Sequence, residues 1–234
     1  MLQNISHFNY STVFLITLIF GGLAFLYSFF GFLSSQTTPR FDTFGSLTLQ
    51  EIGGHFLFGY IVALPTRNLK IGVLAGLMAL AIDADHVLNA AGTAIQGRMS
   101  HSVSFAILSA VLMGFIVTLV YRRIARENSI IMASSVSSAK IEKKLADNAN
   151  SRQNSVLIVE KSSVFYGFLV ITLAAYMSHI AYDVFVDLGA NFPLLAPFSF
   201  KDVFIPQIFA LPLEGAAILL VYFWYRINSK NNQR

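Results

Sequence analysis

The 234-residue chain is 55% hydrophobic and only 12% charged, with a mean hydropathy of +0.63, where an average soluble domain carries about 25% charged residues. That balance excludes a soluble enzyme and predicts an all-α, polytopic transmembrane bundle of about six helices. The net charge of +4 does not imply nucleic acid, because the basic residues fall where a bilayer-orientation rule puts them. With 0 cysteines, strong metal ligation is left to His and carboxylate side chains.

Residues 11–33 carry no charge and are long enough to cross a hydrocarbon core of about 30 Å. The apolar run exceeds that of a signal peptide and no Lys or Arg precedes it, so it reads as a retained first helix. Segments 46–65 and 69–90 read as a helix pair around "PTRNLK", whose Pro65, Arg67 and Asn68 break the apolar pattern. A fourth helix is expected over 101–122. Residues 123–163 are polar and read as a solvated, partly disordered cytoplasmic loop. Two more helices follow at 164–187 and 203–225, separated by "GANFPLLAPFSFKD", a structured re-entry loop. The whole of 1–234 reads as one membrane domain.

Thirteen of the 16 Lys and Arg residues fall in 66–70, 121–163 and the C-terminal tail, leaving Arg40, Arg98 and Lys201 for the other side. The positive-inside rule then places both termini in the cytoplasm of a multi-pass plasma-membrane protein. The ionisable residues within the spans were not used for that assignment, yet His55, Asp83, Asp85, His86, His101, His179 and Asp183 all converge on the outer leaflet. An Asp near the bilayer centre costs roughly 2.5–3.5 kcal/mol on insertion scales. Several in one layer need compensation, and a bound cation supplies it.

His179 and Asp183 in "SHIAYD" are spaced i, i+4 and share a helix face, as do Asp83 and His86 at i, i+3. Asp85 sits about 100° from His86 on an ideal helix, so it either joins the set where the helix end loosens or orients a ligand from behind. With His55 and His101 the set predicts a divalent-metal site suited to Zn²⁺ first, with Mn²⁺ and Fe²⁺ as alternatives, as one ion or as a two-metal centre. Asp85, if not a ligand, is a candidate general base. Arg98 in "GRMSHS" either holds an anionic substrate group or anchors at headgroup level. Glu214, mid-span in the last helix, has three open roles: bundle pairing, the site itself, or proton relay. Taken singly, each His reads more simply as a helix–helix hydrogen-bond donor. Their shared depth favours a common site.

At these residues the chain resembles the YdjM-type membrane-bound metal-dependent hydrolases. The resemblance is carried, in order, by "GGHFLFG" (His55), "DADH" (Asp83, Asp85, His86), "RMSHS" (Arg98, Ser100, His101, Ser102) and "SHIAYD" (His179, Asp183), over about residues 50–200. Gln96 and Gly97 stand where the family often has His and then Arg, and Ser100 replaces Thr. The resemblance implies a metal-dependent hydrolase of the cytoplasmic membrane, and Ser100 joins Asp85 and Arg98 as a candidate catalytic residue by its place in it. The expected partner is membrane lipid, and the expected substrate a lipid-like ester or phosphoester. A transporter of metal ions or protons and a scaffold with a structural metal are the competing readings, the first weakened by the almost purely apolar inner halves of the middle helices.

Overall fold

A uniformly apolar helix carries little sign of which face it buries, so the packing of this chain is decided by its small residues and helix breakers. The computed structural model describes residues 9–34, 48–86, 99–136 and 146–231, with Asp85 and residues 31–34, 124–136, 146–162 and 230–231 described by backbone alone. Among the described residues there are six α-helices: α1 (Tyr10–Ser34), α2 (Leu49–Val62), α3 (Leu69–Ala81), α4 (Val103–Val136), α5 (Ala146–Val186) and α6 (Ala210–Asn231). Between α5 and α6 lies a two-stranded antiparallel hairpin, β1 (Gly189–Phe192) with β2 (Val203–Pro206), paired Gly189 to Pro206 and Phe192 to Val203.

Among the described residues four helices are long and apolar enough to cross a membrane: Tyr10–Phe30, Val103–Arg123, Ser163–Val186 and Gln207–Ser229. The expected second and third spans are corrected in their described parts, 46–47 and 87–90 lying outside the described residues. Helices α2 and α3 have 14 and 13 residues, about 21 and 20 Å at 1.5 Å per residue, short of a core of about 30 Å. The cause is local. Helix α2 gives way to a 3₁₀ turn at Leu64–Thr66 containing Pro65, with Arg67 left-handed at φ 53°. Asn68 then caps α3, its side chain accepting from the backbone N–H of Lys70 (3.0 Å) and Ile71 (3.4 Å). At its far end α3 tightens into a second 3₁₀ turn, Ile82–Asp85.

The two short helices form a hairpin whose backbones nearly touch. A Cβ added to Gly59 would lie 2.6 Å from the Ala75 carbonyl oxygen and 2.9 Å from the Gly76 Cα, the small-residue contact by which membrane helices approach closely. Helix α5 is the central element, packed against α2, α3, α4 and α6 through residues such as Ile171, Ala174, Ala175 and Ala181, all 2% exposed or less. Helix α6 lies outermost, exposing Leu211, Leu219 and Phe223.

The polar stretch 123–163 also differs from expectation. Helix, rather than loop, continues through 124–136 and 146–162, because α4 and α5 both run on past their apolar parts. The remainder of that stretch lies outside the described residues. The expected re-entry loop is the β1–β2 hairpin, and it is tied down: the N–H of Val103 donates to the Leu194 carbonyl at 3.0 Å, and the Ser104 hydroxyl donates to the Ala196 carbonyl. Tyr27 of α1 reaches Ser104 at 2.9 Å. One end of the bundle is thus built from the end of α3, the start of α4, the end of α5 and the hairpin, while Lys70 and Tyr10 meet at the opposite end with the ammonium 5.9 Å from the ring.

Candidate metal centre

Four elements bring their polar residues to the hairpin end of the bundle. Helix α2 starts from Thr48, whose side chain accepts from the N–H of Glu51 at 3.1 Å, so Glu51 stands in the first turn with His55 one turn further along the same face. The 3₁₀ turn closing α3 has three residues per turn, which stacks residues three apart in line and points Asp83 and His86 the same way. A third 3₁₀ turn, Met99–His101, delivers His101 at the start of α4. Helix α5 contributes His179 and Asp183 from one face.

These side chains converge. His55 Nε2 lies 3.2 Å from Asp83 Oδ2 and 3.2 Å from Asp183 Oδ1. Asp83 Oδ1 lies 3.4 Å from His86 Nε2 and 3.7 Å from both His101 Nε2 and His179 Nε2. Asp183 Oδ2 is 3.4 Å from His179 Nε2 and 3.6 Å from His101 Nε2, and those two nitrogens are 2.8 Å apart. Glu51 Oε2 closes the outer edge, 3.8 Å from His55 Nε2.

The imidazoles are held from behind, as metal-ligating histidines are. His179 Nδ1 donates to the Ala79 carbonyl at 2.9 Å, which leaves Nε2 to face the cluster. His101 Nδ1 meets the Ser100 hydroxyl at 3.0 Å, its own carbonyl accepts from Tyr176 at 2.5 Å, and Phe192 of the hairpin stacks on its ring at 5.7 Å between centroids. His55 stacks on His179 at 4.1 Å and takes the edge of Tyr182 at 4.5 Å, while the Tyr182 hydroxyl donates to the Gln50 carbonyl at 3.0 Å. That tyrosine needs Gly54: a Cβ there would fall 2.0 to 2.2 Å from its ring.

The donor set fits a divalent cation. Asp183 Oδ2 is buried and accepts no hydrogen bond although two Nε2 atoms lie 3.4 and 3.6 Å away. Ligands about 2.0–2.2 Å from a tetrahedral ion are separated by roughly 3.3–3.6 Å, and the carboxylate–imidazole separations here run from 3.2 to 3.8 Å, with the His101 and His179 nitrogens closer at 2.8 Å. Three overlapping triads satisfy the geometric requirement: His55, Asp83 and His179; His101, His179 and Asp183; Glu51, His55 and Asp183. Three carboxylates in an apolar bundle also need positive charge nearby, and among the described residues of the cluster neither Lys nor Arg supplies it.

Of the residues expected at the site, His55, Asp83, His86, His101, His179 and Asp183 come together. The backbone of Asp85 lies in the 3₁₀ turn, and its side chain is outside the described residues, as are Arg98 and Gln96. Ser100 is fully buried behind His101, with its hydroxyl on Nδ1 and its N–H donating to Ser28 Oγ at 3.2 Å. Its place is that of a support for His101. Glu51 was missed, and its i, i+4 spacing from His55 was the available signal. Glu214 stays apart from the centre, 8% exposed on α6, with both carboxyl oxygens lacking an aligned hydrogen bond and the Ser178 hydroxyl as its polar neighbour.

A helical membrane protein with a buried His/Asp cluster able to hold a metal ion is therefore the class that fold and site define. The model of the family described as YdjM inner membrane protein matches residues 51–233, and the chain belongs to that family. No curated protein and no solved structure matches the chain.

Proposed function

We propose that the protein is a metal-dependent hydrolase embedded in the cytoplasmic membrane, acting on an ester or phosphoester of a lipid-like substrate, with both termini cytoplasmic and the site toward the outer side. The observation that carries this reading is the buried Asp183 Oδ2 without a hydrogen bond among converging Nε2 atoms. A divalent ion held there, Zn²⁺ first and Mn²⁺ or Fe²⁺ as alternatives, supplies Lewis acidity and lowers the pKa of water.

The chain's own residues do the rest. His179 and His101 are fixed in ring orientation by Ala79 and by Ser100, and Tyr176 holds the backbone of His101. Asp83 and Asp183 bind and orient, and Phe192 and Tyr176 close the deep side against water. Glu51 stands at the outer edge among the possible metal-holding residues, Asp85 is the candidate base accepting a proton from water, and Arg98 remains the candidate for an anionic substrate group. Transport is disfavoured by the sealed apolar layer below the site, where Val62, Ile71, Leu74 and Met78 are 1% exposed or less.

The test is hydrolysis of fluorogenic lipid esters and phosphodiesters in mixed micelles by the purified full chain, before and after chelation and metal return. Turnover lost on chelation, restored by metal and reduced at least about 100-fold in Asp183→Asn supports the reading, since loss of even a supporting residue costs 10–100-fold. A metal-loaded protein that cleaves neither substrate class overturns it.

A further inference from the structure

The two aspartates each divide their oxygens between two groups of ligands. Asp183 turns Oδ1 toward His55 at 3.2 Å and Oδ2 toward His179 and His101 at 3.4 and 3.6 Å. Asp83 does the same with opposite labels: Oδ2 faces His55 at 3.2 Å, while Oδ1 faces His86, His101 and His179 at 3.4 to 3.7 Å. A carboxylate that chelates one ion offers both oxygens to the same neighbours. One that spans two ions offers one oxygen to each.

We infer that the centre binds two divalent cations bridged by Asp83 and Asp183, with Glu51 and His55 completing one position and His101 and His179 completing the other. This rests on the metal-dependent reading above and goes beyond it by fixing the number of ions and sharing out the ligands. His86 touches Asp83 Oδ1 and belongs on the His101 and His179 side.

The ligand inventory agrees. Four Nε2 atoms, four aspartate oxygens and Glu51 Oε2 face the centre, more donors than one four-coordinate ion uses and close to what two ions share through bridges. The burial is graded in the same sense: His101 and His179 are fully buried, whereas Glu51 stands at 27% side-chain exposure. The His101/His179 position is the deep one and the Glu51/His55 position the outer one. The deep position also has the firmer support, through Ala79, Ser100 and Tyr176, while His55 Nδ1 has no hydrogen-bond partner. The outer ion is thereby the weaker-held of the two.

The experiment is reconstitution of chelated, detergent-purified protein with Mn²⁺, read by metal content per chain and by electron paramagnetic resonance. Two Mn²⁺ per chain with an exchange-coupled spectrum, and conversion in Glu51→Gln to one tight ion with an isolated six-line signal plus a second ion weakened at least about tenfold, support the inference. One Mn²⁺ per chain overturns it and leaves the hydrolase reading standing. Two uncoupled ions overturn the bridging. No Mn²⁺ or Zn²⁺ after reconstitution overturns both readings. Thermal melting of parent and Glu51→Gln in chelator checks the fold, and Glu51 lies at the rim, where substitution spares the packing.

Discussion

His101 Nε2 and His179 Nε2 lie 2.8 Å apart although the residues are separated by 78 positions in the chain. His179 Nδ1 donates to a carbonyl, so the lone pair of the neutral ring lies on Nε2 and faces His101. A cation, or a proton held between the two nitrogens, satisfies that lone pair. Both rings are fully buried, so the pair calls for positive charge from within the cluster.

Chelation is therefore expected to destabilise the protein. An ion held at 100 times its Kd contributes about 2.7 kcal/mol to stability, and differential scanning fluorimetry in detergent should show a Tm lowered by chelator and restored by Zn²⁺ or Mn²⁺. In the metal-free state the sign reverses for the ligands. Asp83→Asn should melt no lower than the chelated parent, since it removes one of two carboxylates that are buried together around the same imidazoles.

Ser100→Ala should leave the fold in place and weaken the metal. The hydroxyl meets His101 Nδ1 at 3.0 Å, and loss of such an outer partner costs roughly 10–100-fold in affinity. Competition against a chromophoric chelator measures it. A variant that binds as tightly as the parent would show that Ser100 does not hold the ring.

Gly54→Ala tests whether Tyr182 positions His55. The new methyl would meet the ring at 2.0 to 2.2 Å, so the ring must leave, at a cost of about 1–3 kcal/mol. Tyr182→Phe keeps the ring and loses only the hydrogen bond to Gln50, about 1 kcal/mol. Metal affinity should fall in the first variant and hold in the second.

Gly59→Leu is expected to break the α2–α3 hairpin, because the carbonyl of Ala75 and the Cα of Gly76 lie 2.6 and 2.9 Å from any Cβ at this position. Backbone cannot give way as a flexible side chain can. Loss of monodisperse protein in size-exclusion chromatography, with Gly53→Leu tolerated because its Cβ meets nothing within 4 Å, would confirm it.

The chain has 0 cysteines, so single cysteines report topology cleanly. Lys201→Cys should react with an impermeant maleimide added outside spheroplasts, and Arg67→Cys only after permeabilisation. The opposite pattern would invert the orientation and put the centre on the cytoplasmic side.

Much of this cluster was legible in the sequence because its side chains are among the few polar residues in an apolar chain, and helical spacing pairs them without knowledge of the packing: His179 with Asp183, Asp83 with His86. Glu51 was hidden by its position in a first turn, where an acidic residue has an ordinary reason to sit. The spans at 46–65 and 69–90 were read too long because hydropathy does not register a 3₁₀ turn. The turns at Leu64–Thr66 and Ile82–Asp85 are built from the same apolar and small residues as the helices they end. The strands of the hairpin were unreadable for a related reason: four-residue strands are too short for a period, and they depend on pairing with each other and on tertiary contacts, Phe192 with His101 and the connecting loop with Val103 and Ser104.

The 3₁₀ turn at the end of α3 carries a consequence for how this segment can change over time. Asp83 and His86 point into the centre, while the intervening Ala84, with Ala81, lies against α1 at Gly21, 3.8 and 3.4 Å from the position of its missing Cβ. Every residue in so short a turn has an assigned direction about 120° from its neighbour's. Gain or loss of one residue here would exchange an aspartate for an alanine at the centre and drive the carboxylate into the wall of α1. The segment is therefore intolerant of insertion and deletion, although longer loops absorb such changes readily.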